Sequence, residues 1–268
     1  MYLNNIILSF LTAFIIALVT SPAGISGAIL LMPFQISVLG IRDPSANATN
    51  FLYNVIAIPS GVYRYWREGR FLWILSSFMI LGYFFGIFSG AIIRTKFLIE
   101  FARFKLVVGI VLLFLGISVL RPLKRYAVAK AIVVEKMSIW KVKFRMDRIY
   151  EFEPIKVFTA SLLIGIIGGI YGVGGGALIS PILIGLFRLP PYAIAGANLF
   201  GTFISSVFGI FSYSLLGYNP KLDIGLSMGL GGLFGIYIGS RIQKYIPEKI
   251  IRIALGFLMI ILALKYLF

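Results

Sequence analysis

The sequence predicts an all-α membrane protein: a polytopic bundle of transmembrane helices built from two inverted repeats, with broken or re-entrant helices at glycine-rich motifs. Composition is the first observation behind this fold class, because 60% of the 268 residues are hydrophobic and only 13% are charged, against about 25% in an ordinary soluble domain. The second is that most uncharged stretches are long enough to cross a bilayer, which takes about 20 apolar residues. The third is an internal repeat.

Charges, prolines and glycines divide the apolar sequence into ten predicted helical segments. In chain order they are residues 6–20, 28–39, 46–63, 71–93, 101–120, 155–171, 177–187, 192–216, 222–242 and 250–267. The long polar stretch 121–154 lies between the fifth and sixth segments and contains no glycine. We expect it to form a basic, amphipathic interfacial helix that connects the first transmembrane repeat, 1–120, to the second, 155–268.

The charge distribution favours a membrane over nucleic acid. The net charge of +16 comes from 25 Lys and Arg against 9 Asp and Glu. The basic residues cluster between apolar segments, where they mark membrane sidedness and meet anionic lipid headgroups. Histidine and cysteine are both absent, which excludes disulfides, thiolate nucleophiles and His- or Cys-ligated metals. The sequence therefore predicts no metal site, no cofactor and no enzymatic activity.

The two halves of the chain repeat at an offset of 148 residues. Seven identities share this offset: Gly24 with Gly172, Gly27 with Gly175, Pro33 with Pro181, Asn50 with Asn198, Gly61 with Gly209, Tyr65 with Tyr213 and Gly69 with Gly217. At an offset of 149, residues 81–93 align with residues 230–242 through seven further identities. A shared register over such a span predicts two copies of one structural unit.

The number of segments and the positive charges predict that the second repeat is inverted. Five segments in each half, an odd number, place the two halves in opposite orientations across the membrane. With the connector inside, this topology puts 18 of the 25 Lys and Arg on the cytoplasmic side, whereas an even number of crossings in the second half gives 15; the positive-inside rule favours the first. We expect a multi-pass plasma-membrane protein with residues 121–154 in the cytoplasm. Four crossings per half is the alternative.

A glycine run is the sharpest motif of the chain. Its residues are Gly172, Gly174, Gly175 and Gly176 in the second half, and Gly24, Ser26 and Gly27 in the degenerate first copy. Each glycine in a helix interior costs about 1 kcal/mol relative to alanine, so we expect the helix to break here. Broken helices from two repeats form the binding sites of many secondary transporters, and helix N-termini favour anions. We therefore expect these residues to bind a small anion through backbone N–H groups.

Polar residues follow each motif inside an apolar segment. Asn50 and Asn198 occupy the same position of the repeat, with Thr49 before the first and Thr202 after the second. They are candidate substrate ligands, and hydrogen bonding between helices or helix capping is the alternative role. Helix packing is instead expected of the glycines spaced by four, which are Gly82, Gly86 and Gly90 with Gly231, Gly235 and Gly239.

Four motifs and a turn carry a family resemblance. They are GVGGGALISP at 172–181, PPYAIAGAN at 190–198, GISGAILLMP at 24–33, SANATN at 45–50 and the turn at 69–73. These motifs resemble those of the sulfite exporter TauE/SafE family of membrane anion permeases. The resemblance implies a transporter of small, often sulfur-containing anions, coupled to an ion. The sequence departs from the family at Ser26, where a glycine run falls, and at Asn50 and Asn198, where a hydroxyl residue is expected.

The sequence thus predicts a permease that moves a small anion, such as sulfite, thiosulfate or sulfoacetate, by alternating access. A proton or another ion is the expected coupling partner. A passive anion channel and a non-transporting membrane scaffold are the alternatives. The choice of anion, the direction of transport, the coupling ion and the oligomeric state stay open at this stage.

Overall fold

The computed structural model of the protein describes residues 2–21, 26–67, 69, 71–121, 132–138, 140–146, 148–242 and 248–268. Helices dominate this part of the chain, and three short strands lie in the connector. The elements are α1 (Tyr2–Thr20), α2 (Ala28–Ser37), α3 (Ser45–Ala57), α4 (Pro59–Arg67), α5 (Trp73–Lys96), α6 (Phe101–Leu120), β1 (Val133–Met137), β2 (Val142–Arg145), β3 (Ile149–Phe152), α7 (Pro154–Tyr171), α8 (Gly176–Gly185), α9 (Pro191–Leu215), α10 (Leu222–Ile242) and α11 (Glu248–Leu267).

Seven of the helices are long and apolar enough to cross a membrane: α1, α5, α6, α7, α9, α10 and α11. The predicted all-α polytopic bundle is confirmed. Helices α2 and α8 have 10 residues each, and at about 1.5 Å per residue each reaches only about halfway across the hydrocarbon layer. Helices α3, with 13 residues, and α4, with 9, are also shorter than the seven long helices.

One predicted segment, 46–63, is divided in the structure. Helix α3 ends at Ala57, and α4 begins at Pro59. Proline has no backbone N–H and its ring clashes with the carbonyl of the preceding turn, so a helix ends or kinks before it. The equivalent position of the second half is Val207, and there α9 runs without interruption for 25 residues.

The connector forms a small antiparallel sheet in the order β1-β2-β3, and the interfacial helix predicted for it is wrong over the described residues. Residues 122–131, 139 and 147 of the connector lie outside that description. The side chains of β2 and β3 alternate: Val142, Phe144, Tyr150 and Phe152 are buried, while the residues between them point outward. This period of two fits a strand and not a helix.

Ion pairs between lysine and glutamate side chains lie on the outer face of this sheet. The Lys141 ammonium lies 2.8 Å from the Glu151 carboxylate, and that of Lys143 lies 3.9 Å from it. The hydrogen bond from Lys141 lowers the pKa of Glu151 below its ordinary value. On the buried face, the rings of Phe144 and Tyr150 stack with centroids 5.6 Å apart. The buried face of the sheet belongs to the same hydrophobic core as the helices.

Glycine columns join α5 to α7 and α10 to α1. Gly82, Gly86 and Gly90 lie against the carbonyl oxygens of Phe158, Leu162 and Ile166, and Gly231, Gly235 and Gly239 lie against those of Phe10, Phe14 and Leu18. At Gly82 and at Gly235 an added Cβ would sit 2.5 Å from the carbonyl oxygen, closer than real Cβ atoms approach. The expectation that these glycines pack helices is confirmed.

The contacts of the two halves correspond to one another. In the repeat, α1, α2, α3, α5 and α6 match α7, α8, α9, α10 and α11. Helix α5 packs on α7 as α10 packs on α1, α3 packs on α10 as α9 packs on α5, and α2 packs on α3 as α8 packs on α9. The matched pairs α3 with α9 and α6 with α11 are also in contact. Most of these interfaces join one half to the other, so the halves form one body.

Substitution of Gly86 by alanine should destabilise the protein. The new Cβ would overlap the backbone of α7 at Leu162 and Gly165, and such overpacking costs about 1–3 kcal/mol. Gly185, whose position has nothing within 4 Å of an added Cβ, provides the matched control. In detergent, thermal unfolding should occur at a lower temperature for Gly86→Ala and at an unchanged or higher temperature for Gly185→Ala. Equal melting temperatures would contradict the packing role.

Candidate functional site

The predicted helix break at the glycine run is confirmed. Helix α7 ends at Tyr171, and α8 begins at Gly176. Between them, Gly172 has φ +81° and Gly174 has φ +76°, a left-handed conformation that residues with a Cβ rarely adopt. Every residue from Gly172 to Gly176 is buried. The chain thus changes direction inside the bundle and not at its surface.

The first glycine motif is described from Ser26 onward, and Gly24 lies outside the described residues. Helix α2 begins at Ala28, after Gly27, and the Ser26 hydroxyl accepts a hydrogen bond from the Ala28 N–H at 3.3 Å. Pro33 lies inside this short helix and leaves the Ile29 carbonyl without its usual helical donor. The Tyr171 hydroxyl donates to that carbonyl oxygen at 2.8 Å.

One face of α3 consists of three fully buried asparagines, which bind the backbone at the end of α7. The side-chain amide nitrogens donate to carbonyl oxygens: Asn47 to Ile170 at 2.8 Å, Asn50 to Gly172 at 2.8 Å and Asn54 to Val173 at 2.9 Å. Their spacing of three and four residues places them on one side of the helix. We call them the asparagine face. It satisfies carbonyl groups that the break would otherwise leave unpaired.

Asn50 connects α2 to the break after α7. Its Nδ2 also donates to the Ala28 carbonyl oxygen of α2 at 2.9 Å, and its Oδ1 accepts from Gln35 at 3.3 Å. These bonds engage the polar atoms of the Asn50 amide within the protein, which is the interhelical role. Thr49 faces elsewhere: its hydroxyl donates to the Ser45 carbonyl and accepts from the Lys221 N–H. The structure therefore does not bring Thr49 to the break.

Asn54 brings the two glycine motifs together. Its Oδ1 accepts a hydrogen bond from the Ser26 hydroxyl at 3.0 Å, while its Nδ2 donates to Val173 and to the Ser206 hydroxyl. One side chain thus joins the start of α2 to the break before α8. Ser26 of the first glycine motif and Val173 of the second therefore meet in one polar cluster.

Helix α9 contributes the polar side chains around the start of α8. The Thr202 hydroxyl accepts the Gly176 N–H at 3.1 Å and donates to the Asn198 carbonyl oxygen at 2.7 Å. Asn198 Nδ2 donates to the Ser180 hydroxyl at 2.6 Å. Its Oδ1 is buried and has no hydrogen-bond partner among the described residues. Asn198, Thr202 and Gly176 thus lie together at the start of α8.

The side chains at this cluster that were not among the site residues predicted from the sequence include Asn47, Gln35, Ser180, Ser206, Tyr53 and Tyr83. The spacing of Asn47, Asn50 and Asn54 is the signal that would have identified the first. The two tyrosines lie in apolar segments that resemble any transmembrane helix, so the sequence contains no signal for them. Both rings are fully buried, and their hydroxyls lie at the starts of α2 and α8.

Seven helices of membrane-spanning length in the described part of the chain, together with the short helices α2 and α8, indicate a multi-pass membrane protein. The sulfite exporter TauE/SafE family model matches residues 9–266. The chain belongs to this family, and it is a membrane transporter and not an enzyme.

Relatives support the same class. The chain is 26% identical to the probable membrane transporter protein MJ0441 of Methanocaldococcus jannaschii over 93% of this chain and 90% of that protein. It is 24% identical to the probable membrane transporter protein YjnA of Bacillus subtilis over 90% of this chain and 92% of that protein. A match to YunE of the same organism, at 26% identity, spans 44% of this chain and 43% of that protein. No solved structure shows significant similarity to the chain.

Replacement of Asn54 by alanine should destabilise the bundle. It leaves the Val173 carbonyl and the Ser26 hydroxyl without their partners, and a buried unpaired polar group costs about 1–3 kcal/mol. Asn219, which is exposed in the loop before α10, is the matched control. Thermal unfolding in detergent should show a lower melting temperature for Asn54→Ala only. An equal effect of Asn219→Ala would show that the loss does not depend on the polar cluster.

Proposed function

We propose that the protein is a secondary transporter that moves a small anion across the plasma membrane by alternating access. The observation that carries this proposal is the meeting of two broken helices in one buried polar cluster, joined through Asn54. The N-terminus of a helix attracts negative charge because it is the positive end of the helix dipole. Two such ends, at α2 and α8, suit an anion.

The chemistry around the breaks supports an uncharged binding site. The side chains that contact the breaks are amides, hydroxyls and apolar groups, which bind an anion without placing a costly cation in the hydrocarbon layer. In this proposal the backbone at Gly175 and Gly176, together with Asn198 and Thr202, contacts the substrate. The family name favours sulfite, and the resemblance favours small sulfur-containing anions more widely, such as thiosulfate or sulfoacetate.

Two features support alternating access in preference to a passive pore. Residues 172–176 are buried, so the site has to be exposed by a movement of the surrounding helices. Two surface grooves, of about 320 and 430 Å³, lie where α7 and the residues after α8 meet the connector, away from the breaks. The second feature is the correspondence of helix contacts between the two halves, such as α5 on α7 and α10 on α1. This correspondence supports an inverted repeat whose halves rock against each other.

Transport assays test this proposal. Purified protein in proteoliposomes is given labelled sulfite, sulfate, thiosulfate or sulfoacetate, with and without a pH gradient. We expect saturable uptake that the gradient stimulates. Gly175→Leu should abolish it, because the side chain would overlap the Tyr83 ring, and Asn198→Ala should reduce it. Gly185→Leu, in open space, should retain it.

Other outcomes of this assay are equally decisive. Flux that does not saturate and ignores the gradient would indicate a passive channel. The absence of flux with all four anions would overturn the proposed substrate class. Uptake that survives in both Gly175→Leu and Asn198→Ala would place the site away from the break.

Single cysteines test the proposed topology, since the natural chain has none. We expect Ile99→Cys, in the exposed loop before α6, to react with a membrane-impermeant thiol reagent from outside the cell. Trp140→Cys in the connector and Lys249→Cys at the start of α11, both exposed, should react only after permeabilisation. Loops before α6 and α11 are equivalent in the repeat, so labelling of Ile99→Cys and Lys249→Cys from the same side would refute the inversion.

A further inference from the structure

Two buried tyrosines in the bundle have no hydrogen-bond partner for their hydroxyls. Tyr53 and Tyr83 are 1% and 0% exposed, and neither hydroxyl has a partner among the described residues. The other tyrosines buried among these helices donate to backbone carbonyl oxygens at 2.7–3.2 Å; they are Tyr171, Tyr213 and Tyr266. An unpaired buried hydroxyl is unfavourable, so its retention at two places calls for a functional reason.

Both hydroxyls lie at the same point of the repeat. The Tyr83 hydroxyl is 2.6 Å from the place that a Cβ would occupy on Gly175, directly before α8. The Tyr53 hydroxyl is 2.6 Å from the corresponding place on Gly27, directly before α2. Gly27 and Gly175 are equivalent at the offset of 148. Each broken helix therefore starts beside one unpaired phenol.

Glycines of the second half make room for both rings. Tyr53 packs against Gly232, and Tyr83 packs 3.1 Å from the Cβ position of Gly201. At the repeat offsets, Tyr53 corresponds to Gly201 and Tyr83 to Gly232. Each tyrosine thus packs against the glycine that occupies the other tyrosine's position in the second half. The first half supplies both phenols, and the second half supplies both spaces.

The backbone donors at the helix starts are partly occupied already. The Gly176 N–H is bound by the Thr202 hydroxyl, and the Ala28 N–H by the Ser26 hydroxyl. An anion at either start therefore has fewer backbone donors available and would gain from a donor outside the helix. A phenol O–H forms a short, strong hydrogen bond with an anionic oxygen, and it carries no charge that would have to be desolvated.

We propose that Tyr83 donates its O–H to the transported oxyanion at the start of α8, and that Tyr53 does the same at the start of α2. This inference rests on the proposed function and assigns its substrate contacts. The chain then has two half-sites, one for each broken helix, and each half-site takes an oxygen of a small oxyanion or sulfonate.

Removal of the hydroxyl alone tests the inference. Tyr83→Phe and Tyr53→Phe keep the rings that fill the glycine spaces. We expect the KM for sulfite uptake, or for the best of the four anions, to rise about tenfold in each variant, which corresponds to the loss of one charge-assisted hydrogen bond. The melting temperature of the protein without anion should not fall, because no bond within the protein is lost.

Tyr213→Phe is the matched control. Its hydroxyl donates to the Gly169 carbonyl oxygen at 2.7 Å, so its loss should lower the melting temperature and leave KM unchanged. A normal KM in both Tyr83→Phe and Tyr53→Phe would overturn the inference. A fall in their melting temperature like that of Tyr213→Phe, with KM unchanged, would show a structural role and overturn it too.

A binding measurement separates this inference from the proposed function. Sulfite, thiosulfate and sulfoacetate are each added to the wild-type protein in detergent, and the anion-dependent rise of the melting temperature is measured. A rise that Tyr83→Phe reduces supports the half-site even if no uptake is found, in which case only the transport proposal fails. A wild-type protein that none of these anions stabilises would overturn the half-site.

Discussion

A helix that ends inside a membrane leaves backbone carbonyl and N–H groups unpaired, and these groups have to find partners within the protein. This requirement organises the centre of the bundle. The asparagine face of α3 supplies donors for the carbonyls at the end of α7, Thr202 supplies an acceptor for the start of α8, and Tyr171 binds the carbonyl that Pro33 frees in α2. Because each partner lies on a different helix, the break fixes how α2, α3, α7, α8 and α9 pack.

The same requirement ties the halves to each other. The carbonyl groups at the break of the second half accept hydrogen bonds mainly from the asparagines of α3, in the first half. The Ile29 carbonyl of α2 accepts a hydrogen bond from Tyr171 of α7, in the second half. Together with the packing of α1 on α10 and of α5 on α7, these bonds mean that neither half has a complete core of its own. The repeat is a unit of sequence that becomes a stable structure only in the pair.

Much of this architecture could be predicted because glycine and proline mark helix ends directly. The break at Gly172–Gly176, the short helices and the packing glycines all follow from local backbone preferences. The connector was mispredicted because its strands are short and its charges obscure the alternation of Val142, Phe144, Tyr150 and Phe152. The roles of Tyr53 and Tyr83 could not be predicted, because the space for each ring is provided by a glycine far away in the sequence. The sequence fits Asn50 both as a substrate ligand and as a hydrogen-bonding residue between helices. Only its contacts in the structure favour the second role.

The glycine columns of α5 and α10 have a mechanical consequence. Each column joins a helix of one half to a helix of the other, with backbone against backbone and few side chains between them. Where ridges of side chains interlock, they must disengage before two helices can shift. A seam of glycine against carbonyl oxygens has no such ridges. The interfaces of α5 with α7 and of α10 with α1 are therefore smooth, and sliding along them is opposed mainly by the hydrogen bonds that tie the two halves together at the breaks.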